Sequence, residues 1–420
     1  MIRITSLILV PVISWLGPQF LYQIRPYTFY ISGFAVACIA AVAISGNIVA
    51  LGKSKKYRWN YLFILTGYFI GFQISSEFLY YLILGLSVLL VLFDLAAEKI
   101  NFWMNTSIIA SLIIAISIYL QFSLPLIFHK EQVEYEDKVV FSAESQFHQL
   151  VITQWHENFW FYLDKLKNLS SIDEYLYYEP MVHTVFRVES EIRNALVMGG
   201  ENGCLIRELL KHNKVERIDI ISYDSLLRNL GMESIYFTKM NKNAFQHKKV
   251  HVIHENLLDY MINSPKKYDA IFIDLPDPRS IETNQYYTRE FYNIVRDHLD
   301  EDGIMITQAG SPYFATQAFY AIGQTINKAG FNVLPIHNQI LTLGEWGWYL
   351  CAITQDAERM KKKLTTPKEM TITTRWFNDE AASLVTSFGK TYFDTLNVGI
   401  NSMEKPFVYQ YYLKGNWNLN

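Results

Sequence analysis

The sequence predicts an α-helical membrane region, then a small antiparallel β domain, then a doubly wound α/β sheet. Three observations carry that reading. Residues 1–127 hold five apolar runs, most of them near the ~20 residues that cross a hydrocarbon core. Residues 128–190 alternate apolar and polar side chains, the pattern of half-buried strands. Residues 194–224 read NALVMGGENGCLIRELLKHNKVERIDIISYD. There an apolar run (Ala195 to Met198) meets a glycine turn (Gly199, Gly200, Gly203), a helical pattern (Leu205, Leu209, Leu210) and a second apolar strand (Ile218 to Ile221). Strand, glycine turn, helix and strand in that order open a parallel nucleotide-binding sheet.

The composition bounds the partners. Half of the 420 residues are hydrophobic and 15% are aromatic, which suits a chain with part of its length in a lipid bilayer. A net charge of −3 leaves no basic footprint for nucleic acid. Cys38, Cys204 and Cys351 are far apart and form neither a metal nor a disulfide pattern.

In chain order, the apolar runs fall at 4–24, 28–51, 59–74, 78–97 and 105–126. The first lacks a small-residue cleavage site, so it is expected to stay attached. Lys53, Lys55, Lys56 and Arg58 follow the second run, and positive loops stay cytoplasmic. If every later run crosses, the remainder of the chain lies outside; if one run fails to cross, it lies inside. The expectation is a multi-pass protein of the cell membrane, its soluble part on the cytoplasmic side.

Residues 128–190 predict a small antiparallel sheet and then a helix over SSIDEYLYYEPMVHTVF, with Ser170 or Ser171 as its cap. Residues 191–355 predict strands at 195–198, 218–222, 250–254, 270–274, 304–308 and 348–354. Helices are predicted at 203–212, 224–231, 256–262, 287–299 and 313–329. That alternation is a Rossmann-like, methyltransferase-type sheet, with ligands at the carboxyl ends of its strands. Residues 356–420 read as a less regular, aromatic-rich extension. A block at 268–278, YDAIFIDLPDP, ends an apolar strand on Asp274, with Asp277 three residues later. Two acids so placed suit a dication; acids at such positions also cap turns.

From about Ser145 onward the chain resembles the polyamine aminopropyltransferases, the spermidine synthase family, and is most similar to their membrane-bound bacterial form. The likeness rests on SQFHQLVIT with LDKLKNLSSIDEYLYYEPMVH, on ALVMGGENGCLIRELLKH, on YDAIFIDLPDP with YYTREFY, and on QAGSPYF with LTLGEWGWYL. RWFNDEAASLV and VGINSMEKPFVYQYY extend it into the tail. The resemblance implies an alkyl transfer from decarboxylated S-adenosylmethionine, used as co-substrate without metal or cofactor, to a diamine. It implies Asp274 as the base and Asp277 as the anchor of the far ammonium. Tyr177, Glu345, Trp346 and His148 would line the amine site. Gly199, Gly200, Glu201, Asn202, Gly203, Ser222, Asp224, Glu255 and Asn256 would face the donor. A homodimer through the small sheet is implied in the same way.

The donor positions depart from the family pattern. The acid of its glycine turn is Asn202 here, beside Glu201. The acid ending the second strand is Ser222, with Asp224 two residues on, and the acid near the adenine is Asn256, beside Glu255. Each missing carboxylate removes a charge-assisted bond, roughly 1.5–3 kcal/mol. Two other readings therefore stand beside aminopropyl transfer. One is a divergent transferase using S-adenosylmethionine or another nucleoside. The other is a non-catalytic membrane protein that binds polyamines.

Overall fold

The computed structural model describes residues 132–145, 147–222, 224–389 and 396–416. The predicted membrane runs lie outside the described residues, and no described helix is long and apolar enough to cross a membrane. Tyr135–Asn420 forms a unit of its own.

That unit begins with a four-stranded antiparallel meander: β1 (Lys138–Glu144), β2 (Gln149–Trp155), β3 (Asn158–Leu163) and β4 (Leu166–Ser170). The β3–β4 connection is two residues, Asp164 and Lys165, at φ 51° and 70°. Two positive φ values in a two-residue loop match the right-handed twist of a hairpin, and Asp tolerates that region better than most side chains. The Asp164 carboxylate takes the Gln149 N–H at 2.9 Å and His148 Nδ1 at 2.7 Å, which ties the hairpin back to β2.

Helix α1 (Tyr175–Val188) follows. Its N-cap is Glu174, which makes no side-chain cap bond, so the predicted cap at Ser170 or Ser171 is corrected. Ser170 ends β4 and its hydroxyl accepts from the Ile172 N–H instead. The helix is buried along nearly its whole length. Glu179, fully buried, accepts the N–H groups of Arg375, Trp376 and Phe377 at 2.7, 2.8 and 3.0 Å. That carboxylate clips the C-terminal extension to α1. Glu179→Ala strands three donors, each costing about 1–3 kcal/mol; urea unfolding is expected to show a loss of about 3 kcal/mol or more.

The main sheet is built from β5 (Asn194–Gly199), β6 (Arg217–Ile221), β7 (Val250–Ile253), β8 (Tyr268–Asp274), β9 (Leu299–Gln308), β10 (Asn332–Ile340) and β11 (Gly344–Ala352). Its order is β10-β11-β9-β8-β5-β6-β7, with β7 to β9 parallel and β11 antiparallel to both neighbours. Five of the six predicted strands coincide closely with β5 to β9, and the sixth, 348–354, overlaps β11. β10 is an addition to the predicted set. It carries Pro335, which breaks the strand signal; a proline is tolerated there because β10 is an edge strand.

Helices cover both faces. On one side lie α1, α2 (Cys204–Leu209), α4 (Ile235–Asn241, following α3, Ser225–Glu233), and the later α9 and α10 (Ala357–Thr365 and Asp379–Leu384). On the other lie α5 (Leu257–Asn263), α7 (Arg289–Asp297, preceded by the short α6, Ile281–Asn284), α8 (Thr316–Lys328) and α11 (Phe407–Leu413). β5 shows why the sheet is buried twice over: Ala195 and Val197 join the first core, Leu196 and Met198 the second. Apolar residues on both faces turn the strand into an unbroken hydrophobic run. The strand order reverses between β5 and β8, so the crevice at their carboxyl ends is the place for a ligand.

Candidate active site

At that crevice Gly199 pairs with Asp274, the last residues of β5 and β8. A Cβ on Gly199, at φ 79°, would sit 2.1 Å from the Asp274 carbonyl oxygen. Only glycine lets the turn pass this close to the acid-bearing strand. Gly203, at φ 79°, is the N-cap of α2.

Above the turn lies a cavity of about 1290 Å³. Its floor is Gly200, Glu201, Asn202 and Asp274. One wall is the meander, through His148, Leu150, Phe161 and Asn168; the other is Asp277, Gln308, Glu345 and Trp346. Tyr177 and Tyr178 of α1 stand between them.

Asp274 is half-buried and donors converge on it. The Tyr177 hydroxyl donates to Oδ1 at 2.7 Å and the Tyr178 hydroxyl to Oδ2 at 3.4 Å. Asn202 holds Tyr178 in place, its Nδ2 donating to the phenol at 2.6 Å. Burial pushes the Asp274 carboxyl up to about 7. The Tyr177 and Tyr178 hydrogen bonds work against that rise, while Glu201 and Asp277 add to it. Both tyrosines are themselves raised well above the usual phenol range, by burial and by the Asp274 charge, so they stay protonated as donors. An acid poised near neutrality and held by two donors is suited to exchanging a proton with a bound group.

A network of buried charges joins the start of α1 to α2. Arg207 donates to both oxygens of Glu174, at 3.1 and 2.7 Å, and its Nε donates to Glu208 at 2.9 Å. Burial would raise Glu208, but hydrogen bonding from His183 and the charge of Arg207 outweigh it and bring the carboxyl to about 2.

Asp277 lies in the loop after β8. Its Oδ2 accepts from the Tyr412 hydroxyl at 2.6 Å and from Arg279 at 3.2 Å; its Oδ1 accepts from Gln308 Nε2 at 3.2 Å. Glu345 lines the same end and is paired with His337 at 2.7 Å. The Trp346 indole N–H has no protein partner there.

The expected donor residues divide. Gly200, Glu201 and Asn202 line the cavity, and Gly199 and Gly203 shape its turn. Ser222, Asp224, Glu255 and Asn256 do not line it. Asp224 is the N-cap of α3, accepting the Leu226 and Leu227 N–H groups, and a Ser145 hydroxyl takes its other oxygen. Asn256 caps α5 in the same way, and Glu255 is exposed beside it. Short acceptor side chains at strand–helix junctions satisfy the orphan N–H groups of the helix, and here that local role uses the side chains. Ser222 donates to the Asp224 carbonyl at 2.8 Å and to Glu201 Oε1 at 3.3 Å. The Asp224 N–H also lies 3.3 Å from Glu201 Oε1. The Glu201 carboxylate thus stands at the tip of β6, where the sequence itself has only a serine.

Three site residues escape sequence reasoning. Gln308 ends β9 buried, donating to Asp277 and to the Leu275 carbonyl at 2.8 Å; a glutamine closing an apolar strand is a readable sign. Tyr412 and Arg279 carry no comparable sign, because their contact with Asp277 depends on how the loop and the C-terminal segment fold back.

An open sheet of this order, with an acid-lined crevice at its switch point, is a Rossmann-like scaffold with a ligand site at the carboxyl ends of its strands. Residues 174–363 match the family model described as spermine/spermidine synthase domain, and the chain is similar to enzymes of that family. It is 29% identical over 359 residues to a polyamine aminopropyltransferase of Oceanobacillus iheyensis, covering 84% of this chain and 68% of the relative. Polyamine aminopropyltransferase 2 of Aquifex aeolicus is 30% identical over 289 residues, 68% of this chain and 56% of the relative. The chain therefore spans about two thirds of the first relative and little more than half of the second. Among solved structures, a spermidine synthase in complex with the transition-state analogue AdoDATO shares the fold, with a TM-score of 0.55 and 21% identity over 60% of this chain and 85% of that one. Enzymes of this family take decarboxylated S-adenosylmethionine as co-substrate and use no metal or other cofactor.

Proposed function

We propose that this chain transfers an aminopropyl group from decarboxylated S-adenosylmethionine to a diamine such as putrescine, giving spermidine and methylthioadenosine. The observation that carries the reading is Asp274. It ends β8 at the switch point, is poised near neutrality, and faces the cavity between Tyr177, Tyr178 and the glycine turn. A diamine nitrogen has a pKa near 10.4, so roughly one in a thousand is free at neutral pH. Asp274 accepts the ammonium proton and passes it to solvent. The freed lone pair forms a bond to the carbon beside the sulfonium. The carbon–sulfur bond breaks, its electron pair stays on sulfur, and the neutral thioether leaves. Asp277 and Glu345 at the other end of the cavity supply acceptors for the second ammonium.

Supplying putrescine and the decarboxylated donor is expected to release methylthioadenosine, detected by chromatography. No product with any diamine would overturn the reading. Because only ionised Asp274 accepts a proton, kcat/KM for the diamine should fall tenfold per pH unit below about 7. Tyr177→Phe removes a hydrogen bond that lowers the Asp274 pKa, so the acid limb of the kcat/KM profile is expected to move to higher pH.

A second reading has its own observation. Asp224 and Asn256 cap helices, and the acid at the tip of β6 is Glu201, carried by the glycine turn. A transferase of this fold taking intact S-adenosylmethionine or another nucleoside would show tight calorimetric binding of that compound, and weaker binding of the decarboxylated form.

The membrane anchor belongs to the same proposal. The apolar runs support it. Both substrates are cytosolic metabolites, which supports a cytoplasmic catalytic unit; a reporter fused to the C-terminus reads the side. A homodimer is proposed with it, to be read from the mass of the detergent-purified protein.

A further inference from the structure

The loop from Leu275 to Thr288 carries Asp277, and the C-terminal segment 396–416 is locked onto it. Asn401 is fully buried with every polar atom engaged. Its N–H donates to the Thr325 hydroxyl at 2.9 Å, and its carbonyl accepts from the Arg289 N–H at 3.0 Å. Its side-chain oxygen accepts from the Val408 N–H at 3.1 Å. Its Nδ2 donates to Asn284 Oδ1 at 3.2 Å and to the Tyr287 carbonyl at 2.9 Å. The Tyr409 N–H adds a second bond to Asn284 Oδ1, at 3.1 Å. Two segments more than a hundred residues apart are thus held in one register. One turn of α11 further on, Tyr412 is 1% exposed and aims its hydroxyl at Asp277. The Arg279 guanidinium donates to that hydroxyl at 3.4 Å, which leaves the phenol proton directed at the carboxylate.

A carboxylate offers about four lone-pair sites. On Asp277, Tyr412 and Arg279 occupy Oδ2 and Gln308 one site of Oδ1. About one site remains, on a side chain that lines the cavity. We propose that Tyr412, held by the Asn401 clamp, is a positioning residue for acceptor recognition: it fixes the Asp277 carboxylate so that its remaining lone pair takes one N–H of the distal ammonium of an alkyl diamine. This rests on the aminopropyl-transfer reading for the identity of the acceptor. A hydroxyl acting only on packing would disturb donor and acceptor alike; one acting through Asp277 touches the acceptor end alone, since the donor turn lies across the cavity.

The test uses the full chain purified in detergent, with Tyr412→Phe and Asn401→Ala. Methylthioadenosine release is followed against putrescine and against the decarboxylated donor. Putrescine binding is measured by calorimetry, and hydrogen exchange is mapped over 276–288. Tyr412→Phe is expected to raise both KM and Kd for putrescine about tenfold, leaving kcat and the donor KM within about twofold. Asn401→Ala is expected to speed exchange over 276–288 while β5 and β8 keep their protection. A Tyr412→Phe variant with unchanged putrescine affinity, or equal losses for donor and acceptor, would overturn the proposal. So would unchanged exchange in Asn401→Ala. A wild type that binds putrescine without releasing methylthioadenosine overturns the transfer reading alone, and the binding and exchange arms still decide the role of Tyr412. A wild type that binds no diamine sinks both.

Discussion

Replacing Asp274 by Asn is expected to slow methylthioadenosine release by roughly 10²–10⁴-fold and to stabilise the fold at pH 8. The first effect follows from removing the proton acceptor while keeping its shape. The second follows from its titration. The Asp274 carboxyl stands near 7 in the folded chain, against about 3.9 in an unfolded one. Between those values the folded protein holds a proton that the unfolded chain has released, so stability falls as pH rises. The difference is small below pH 4, grows through the window and is complete above pH 7, where it reaches at most about 4 kcal/mol. Asn carries no charge and escapes that penalty. Thermal melts of the two proteins should therefore agree at pH 4 and diverge toward pH 8, with the variant the more stable. A variant that transfers within tenfold of the wild type, or melts lower at pH 8, removes Asp274 from the role argued for it.

Gly199→Ala is expected to cost on the order of 4 kcal/mol, a large loss for a single added methyl group. The new carbon would overlap the Asp274 carbonyl carbon and oxygen, at 2.8 and 2.1 Å. These are backbone atoms of a central strand and cannot move aside as a side-chain tip can. The φ of 79° adds strain for any residue with a Cβ. Relief requires β5 and β8 to part at their carboxyl ends, which would also displace Asp274. Chemical denaturation should show a lower midpoint, and activity should fall even in the folded fraction. Unchanged stability would mean that the turn has slack the geometry does not show.

The parts of the site that are legible in the sequence share a property: each depends on a local rule. The alternation of apolar runs and helical patterns gives β5 through β9 in order. Glycines placed just after β5 mark where a backbone must pass close to something. An acid ending an apolar strand, with another three residues later, marks the chemical end of the sheet. The expected donor residues that stand away from the cavity share a property as well. Asp224, Glu255 and Asn256 are expected at the donor because they stand at or beside positions where the family has its acids. Position beside a helix start is the stronger influence on Asp224 and Asn256, because an unpaired N–H is nearer than any ligand. Pro335 conceals β10 because edge placement, which permits a proline, is invisible along the chain.

The periodic skeleton is written in the order of residues alone: which segments are strands, which are helices, and which carboxylates stand at the strand tips. These follow from side-chain polarity at spacings of two to four residues. Which of those groups meet is settled by packing. Glu201 reaches the tip of β6, and Tyr412 completes Asp277 from 135 residues away. Such contacts arise where separately encoded elements come together, and no rule of neighbouring residues specifies a distance between elements that the chain does not join directly.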